Sequence, residues 1–343
     1  MNHKQKLGQF YTTNYEYILQ NMSIPENIKT IIEPFVGNGD LLNFIKNKER
    51  YDIEMYDIDP KISDTICQDT IKMPPNFNNK FILTNPPYLA RNKNADKELY
   101  DLYNANDLYK CFIKILCGSN CMGGIIIIPL NFICSIRKND IELRKEFFGK
   151  FNVNIINIFE EKVFNDTAYT ICSIFFTRKE NNNFLHTKIF IYPSKKEMNV
   201  IFNEDNNFTI GGEIYNLPQN IKLKVERATK LTKNNFYISN ILLKCIDDSI
   251  NNKLGFKIST EKYIDTTEKL SARSYATLVF NKHLSIEEEN ALIEKLNKYL
   301  EFQRNKYNSL FLTNYRESNS IARKRISFDL AFKICNYMLN QEE

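Results

Sequence analysis

Apolar and polar positions along the chain follow one rhythm up to about residue 180 and a less regular one beyond it. In the first stretch, short apolar runs alternate with amphipathic segments, the pattern of strands and helices in βαβ order. Thr30–Pro34 reads as a first strand, followed by a glycine-containing turn and a helix carrying Leu41, Leu42, Phe44 and Ile45. Asp52–Asp57 reads as a second strand and Lys80–Thr84 as another. The segment 107–116 has helical spacing, with Leu108, Phe112, Ile115 and Leu116 on one face. Gly124–Pro129 contains four consecutive isoleucines, too continuously apolar for a half-exposed strand, so both of its faces are expected to be covered. The alternation stops at the polar stretch Asn181–Asn183, which reads as a linker between a domain of residues 1–180 and a second of 185–343. In the second part, Ser285-Ile-Glu-Glu288 is a capping box that opens a helix through Leu292, Ile293, Leu296 and Leu300.

Charge sharpens this division. The 343 residues carry a net charge of +5 from 46 basic and 41 acidic side chains. Residues 1–180 hold 22 of each sign, so the whole excess lies in the second part, 24 basic against 19 acidic. The basic part is the one suited to a polyanion. Three histidines, at 3, 186 and 283, leave no material for a histidine-dependent triad or a multi-histidine metal centre, and no metal is expected. The eight cysteines form no Cys-x-x-Cys pair and several sit in apolar runs, as buried reduced thiols do. No apolar run is long enough to cross a membrane, and Met1–Lys6 lacks a secretion signal, so a reducing cytoplasm is expected, that of a host cell if the source is a virus.

Four segments carry chemistry, and their order matters more than any one of them. Glu33-Pro-Phe-Val-Gly37-Asn-Gly39-Asp40 ends the first strand; its two glycines allow a tight turn and close approach of backbone to a ligand. Without a third glycine it is not a dinucleotide fingerprint. Asp57 closes the second strand about 20 residues later, where an acid can accept both hydroxyls of a ribose, although a surface turn explains it as well. Asp69 is either a loop cap or a ligand contact. Asn85-Pro-Pro-Tyr88 follows the strand ending at Thr84. Its two prolines remove two N–H donors, leaving the Asn85 amide oxygen and the Pro86 carbonyl as acceptors beside the Tyr88 ring. Such a set suits an exocyclic amino group on a flat base.

In this order the sequence resembles the S-adenosylmethionine-dependent amino-methyltransferases that act on adenine N6 in DNA. Gly8-Gln-Phe-Tyr-Thr12-Thr13 is similar to their N-terminal motif; 33–39, Asp57, Asp69 and 85–88 follow in register. Asp107–Phe112, Gly123–Asn131 and the hairpin 162–176 are similar to their later elements. The likeness covers about residues 1–180; Val36 departs from it, where many members have Cys. It implies a doubly wound α/β fold, a mostly parallel seven-stranded Rossmann-like sheet, followed by a smaller C-terminal α+β target-recognition domain. It also implies S-adenosyl-L-methionine as cofactor, with Thr12 and Glu33 at its methionine portion, Gly37 and Gly39 in the turn beneath it, Asp57 at the ribose, Asp69 at the adenine and Asn85 alongside. Tyr88 and Phe164 would sandwich a base flipped out of duplex DNA, while Asn85 and the Pro86 carbonyl hold its amino group.

That chemistry needs no histidine. The amino lone pair of adenine is delocalised into the ring, and hydrogen bonds from N6 to Asn85 and Pro86 favour a more tetrahedral nitrogen as attack begins. A cytosine C5 methyltransferase would need a nucleophilic cysteine, usually after proline, and no Pro-Cys dipeptide exists here. In the basic part, the cluster 315–325 places Arg316, Arg323, Lys324 and Arg325 as DNA contacts or as a solvated helix face, with Arg273 a lesser candidate. The expected function is therefore a site-specific DNA adenine N6-methyltransferase of the type II restriction-modification kind, whose partner in the cell is a restriction endonuclease acting on the same site. Methylation of a protein glutamine or of RNA adenine on the same fold is the alternative. Glutamine enzymes generally place their substrate domain first, whereas some 160 residues follow here. A catalytically silent DNA-binding protein is the third reading.

Overall fold

The computed structural model describes residues 12–164, 169–180, 186–247, 252–265, 274–318 and 321–341, with the backbone alone at 314–318 and 321–323. The chain divides into two units between Glu204 and Asp205.

In chain order the first unit contains α1 (Tyr15–Ile18), β1 (Thr30–Glu33), β2 (Asp52–Asp57), β3 (Ile66–Cys67), β4 (Phe81–Thr84), α2 (Glu98–Leu102), α3 (Leu108–Gly118), β5 (Gly123–Pro129), α4 (Asn131–Cys134), α5 (Lys138–Lys150), β6 (Phe151–Phe159), β7 (Ile171–Arg178), β8 (Thr187–Tyr192) and β9 (Lys196–Val200). These strands form one sheet in the order β3-β2-β1-β4-β5-β7-β6-β8-β9. Pairing is parallel from β3 through β5, antiparallel on both sides of β7, parallel between β6 and β8 and antiparallel between β8 and β9. The mixed α/β, mostly parallel architecture is therefore present, and every residue of β4 and β5 is buried, as strands covered on both faces must be.

Three features differ from the sequence pattern. The sheet has nine strands rather than seven, because the hairpin β8–β9 adds to the edge of β6. The boundary consequently falls about twenty residues later than the polar stretch at 181–183, which itself lies outside the described residues. After Gly39 the chain makes only a five-residue 3-10 helix, Asp40–Phe44, which ends where Ile45 turns extended (φ −77°, ψ 106°).

The N-terminal segment is strapped across the sheet. Ser173 of β7 donates its hydroxyl to the Ile18 carbonyl (2.6 Å), and the Asn157 amide of β6 donates to the Gln20 carbonyl (2.6 Å). This brings Thr12 to the carboxyl ends of the central strands. Strand order reverses at β1 and β4, and the crevice that such a reversal opens is where open α/β sheets bind ligands.

The second unit contains β10 (Val225–Arg227), β11 (Tyr237–Lys244), β12 (Gly255–Ile258), β13 (Tyr275–Phe280), α6 (Ile286–Tyr307), β14 (Thr313–Ser318), β15 (Ile321–Arg325) and α7 (Phe328–Asn340). Its four-stranded antiparallel sheet, β10-β13-β11-β12, buries Ile241, Leu243, Leu278 and Phe280 against Leu292, Leu296 and Leu300 of α6 and Ile334 of α7. The capping box is formed as the sequence indicates: Glu288 N–H donates to Ser285 Oγ (3.2 Å) and Ser285 N–H to Glu288 Oε2 (2.6 Å). The cluster 315–325, read as DNA contacts or as a solvated helix face, runs in the β14–β15 hairpin and not in a helix. Seven of the eight cysteines are buried and reduced; Cys67 is exposed. No helix among the described residues is long and apolar enough to cross a membrane.

Inside this unit Arg227 and Asp265, both nearly inaccessible, form an ion pair, and the Arg227 guanidinium lies 5.2 Å from the centre of the Phe328 ring. Removing one partner of a buried pair strands the other charge. Asp265→Ala should lower the unfolding free energy of this unit by about 3–5 kcal/mol in urea titration, whereas a loss below about 1 kcal/mol would show the pair to be dispensable.

Candidate functional site

The site is built by loops at the carboxyl ends of β1, β2, β3 and β4. After Glu33 the chain turns back on itself at Gly37 (φ 53°) and Gly39 (φ 79°), conformations that favour glycine. Asp57, at the end of β2, holds this turn: Gly37 N–H donates to Oδ2 and Asp59 N–H to Oδ1, both at 2.8 Å. Thr70 secures the same loop from the other side by donating its hydroxyl to the Pro34 carbonyl (2.8 Å). Asp69 caps its own turn, Oδ1 accepting from the amides of Ile71 (3.0 Å) and Lys72 (3.1 Å). Oδ2 has no partner among the described residues.

Thr12, Gly37, Asp57, Asp69 and Asn85 line one cavity of about 320 Å³. Its apolar walls include Phe35, Ile71, Leu89 and Leu99, a flat-sided environment suited to an aromatic ring. Four acids line it, Asp40, Asp57, Asp69 and Asp96, and among the described lining residues there is no lysine or arginine. Glu33 is buried beside it, its Oε1 accepting the Thr84 hydroxyl at 2.6 Å and its Oε2 left without a hydrogen-bond partner among the described residues. Burial raises the Glu33 carboxyl well above the usual carboxylate range; the Thr84 hydroxyl and the Phe35 amide oppose the rise, and the Asp57 charge adds to it.

Asn85 donates from its amide nitrogen to Thr12 Oγ1 (3.0 Å), which joins the N-terminal segment to the loop after β4. The Tyr88 hydroxyl bonds to the Asn85 amide oxygen and to the Ile127 carbonyl of β5 (2.7 Å). This corrects one expectation: the Asn85 oxygen is engaged by the tyrosine rather than free. Tyr88 is only 3% exposed, with its ring edge-on to Tyr109 (6.1 Å) and Tyr169 (6.4 Å). Pro86 and Phe164 are also buried. Of the expected residues, Glu33, Gly39, Pro86, Tyr88 and Phe164 do not line the cavity.

Of the residues expected at DNA, only Lys324 and Arg325 have described side chains. Arg273 lies outside the described residues, as do the side chains of Arg316 and Arg323, whose backbones run in β14 and β15. Arg325 is half-buried. Lys324 is 6% exposed and donates to the Asn308 carbonyl at the end of α6 (2.9 Å), so its ammonium serves the fold rather than a phosphate. Sequence reasoning gave no role to Gln68, which lines the cavity, or to Asp107, which bonds the loop after Tyr88. The signal for Asp107 was available: an acid that opens a strongly apolar helix is a cap or a tether.

The family model for N-6 DNA Methylase matches residues 47–216, a span that begins beyond the Gly37–Gly39 turn and includes Asp57, Asp69, Asn85–Tyr88 and Phe164. Over that span the chain is similar to N-6 DNA methylases. Similar solved structures include one described as a type I restriction enzyme modification subunit from Vibrio vulnificus YJ016 (16% identity, TM-score 0.40, 55% of this chain and 49% of that one). Another is a type I restriction-modification methyltransferase subunit from Streptococcus thermophilus (14%, 0.38, 59% and 52%). A third is the type IIG restriction endonuclease BpuSI (13%, 0.39, 65% and 36%). The chain spans only about half the length of the first two of these structures. No curated protein matches the chain in sequence.

The family match implies S-adenosyl-L-methionine as the cofactor. The cavity fits it: four acids, with no base among the described lining residues, suit a ligand whose sulfonium and ammonium are positive and disfavour the phosphates of a dinucleotide or nucleoside triphosphate. Placed against the methionine portion of the cofactor, Glu33 would make its binding depend on pH. Burial lifts the Glu33 carboxyl well above the usual carboxylate range, whereas a cationic ligand beside it would favour the carboxylate, so binding would be linked to proton release. Affinity for S-adenosylmethionine, measured calorimetrically in buffers of different ionisation enthalpy, should therefore rise with pH by up to about tenfold per unit, with proton release. In Glu33→Gln the dependence should vanish; its persistence there would place the titrating group elsewhere.

Proposed function

We propose that this protein is a site-specific DNA adenine N6-methyltransferase of the type II restriction-modification kind. The observation that carries this reading is the Asn85-Pro-Pro-Tyr88 loop, which follows β4 and contributes Asn85 to the same cavity as Asp57 and Asp69. A group that recognises an amino nitrogen is thereby set beside a group that recognises an adenosyl ligand. The N-6 DNA Methylase match supports the same reaction.

The cofactor, when bound, supplies an electrophilic methyl group on a sulfonium. This chain's residues do the rest. Asp57 would accept the ribose hydroxyls with the oxygen lone pairs that the Gly37 and Asp59 amides leave over, and Asp69 Oδ2 would accept the adenine amino group of the cofactor. At the target base, Asn85 Oδ1 and the Pro86 carbonyl would accept the two N6 protons, drawing the nitrogen toward a tetrahedral shape as it attacks. The Tyr88 hydroxyl now on Asn85 Oδ1 keeps that acceptor satisfied until the base arrives, since a buried unpaired amide oxygen would be costly. Tyr88 and Phe164 would take the flipped base between them once their rings are uncovered.

The second unit would read the DNA sequence, with Arg316 and Arg323 on the β14–β15 hairpin and Arg325 and Arg273 as further contacts; a two-stranded ribbon is one of the shapes that a major groove admits. A unit of this kind in the same chain suits a type II enzyme, and an endonuclease cutting the same site would be its counterpart in a reducing cytoplasm.

The test is methyl transfer from labelled cofactor to duplex DNA, RNA and translation factors offered separately. Label should enter DNA alone, as N6-methyladenine, and Asn85→Ala should slow transfer by about 10²–10³-fold. Label in a protein glutamine or in RNA would replace the substrate, and unchanged transfer by Asn85→Ala would remove the loop from the mechanism.

A further inference from the structure

Pro86 and Pro87 have no N–H groups, so the loop that presents Asn85 must be anchored by the residues on its C-terminal side. Leu89 provides that anchor at both of its backbone groups. Its N–H donates to Asp107 Oδ1 (3.1 Å), and its carbonyl accepts from Leu108 N–H (3.2 Å) and from the Tyr100 hydroxyl (3.0 Å). Ala90 and Asp107 form an antiparallel bridge, and Arg91 N–H donates to the Asn106 carbonyl (2.9 Å). The start of α3 is thus bonded to the loop along three consecutive residues. Asp107 is buried, and nothing in the proposed transfer step uses it.

We propose that Asp107 is a positioning residue for methyl transfer, fixing the Asn85–Tyr88 loop through the Leu89 amide so that Asn85 and the Pro86 carbonyl meet the acceptor nitrogen together. The role rests on the methyltransferase reading. Asp107 does not line the cavity and acts only through the loop. Its surroundings also make the hold sensitive to pH. Burial pushes the carboxyl up to about 7, against the pull of the Lys110 ammonium and of the Tyr109, Leu89 and Leu108 amides. The groups facing it are Lys110, Tyr109 and Cys111 on α3, Tyr88 on the loop and Tyr100 on α2. Lys110 is itself paired with Asp140 of α5 (2.5 Å) and bonded to Asn106 (2.8 Å), so its charge is held in place as Asp107 titrates. The ionised carboxylate makes a charge-assisted bond to the Leu89 N–H; protonation reduces it to a neutral one, which is roughly half as strong.

Two measurements on the full chain decide the matter. In the first, single-turnover methyl transfer to duplex DNA is followed from pH 6 to pH 8 with saturating cofactor. The wild-type rate should climb about tenfold over that interval, as expected for a group titrating near 7. Asp107→Asn keeps an oxygen for the Leu89 amide but does not titrate, so its profile should be flat; an acid limb that survives in Asp107→Asn overturns the proposal. In the second, hydrogen exchange at the amides of 88–91 is compared between wild type and Asp107→Ala at one pH. Exchange at Leu89 should quicken at least tenfold while the β5 amides stay unchanged; equal rates at Leu89 overturn the proposal. Absence of transfer by the wild type would instead defeat the methyltransferase reading, and the exchange comparison would still decide whether Asp107 holds the loop.

Discussion

The rest of the site depends on the carboxylate of Asp57, which sits at the end of β2 and accepts a backbone amide on each oxygen. Through Gly37 it fixes the turn after β1, which Thr70 also holds at Pro34. A charge so placed would be expensive to bury without donors. Here the donors are the loop that it orders, so one interaction both stabilises the acid and holds the turn. The same acid also sets the character of the cavity, because with Asp40, Asp69 and Asp96 it makes a lining that carries negative charge and, among the described residues, no cation.

The loop after β4 meets that cavity under a separate set of constraints. Two prolines make it stiff but leave it short of hydrogen bonds, and the structure compensates at both ends. Thr12 engages the Asn85 amide nitrogen, Ile127 of β5 engages the Tyr88 hydroxyl, and Asp107 engages Leu89. N-terminal segment, central strand and α3 thus converge on one short loop. Reactions that depend on position and electrostatics rather than on a covalent intermediate need this kind of over-determined loop.

Much of this was legible in the sequence, for physical reasons that differ by element. Four isoleucines in a row leave β5 no face for water, and Ser285 with Glu288 satisfies two orphan amides, so both were readable locally. The resemblance to adenine-N6 methyltransferases pointed to Thr12, Gly37, Asp57, Asp69 and Asn85, which line one cavity because order along a βαβ chain becomes adjacency at one edge of the sheet. What could not be read depends on distant partners. The hairpin β8–β9 is strand only because β6 offers an edge, and it comes after a polar stretch that resembles a linker. Lys324 looks like a surface cation in a basic cluster until the Asn308 carbonyl appears beside it. The burial of Tyr88 beneath Tyr109 and Tyr169 likewise has no trace in four residues of motif.

Selectivity of the crevice for a cationic adenosyl ligand is read out by ligand competition. Equilibrium binding of S-adenosylmethionine should be saturable in the micromolar range, typical of cofactor sites, while NAD and ATP at about 1 mM should neither bind nor displace it. Asp57→Ala should abolish the signal. Saturable binding of ATP or NAD at this cavity, with none for S-adenosylmethionine, would contradict the account.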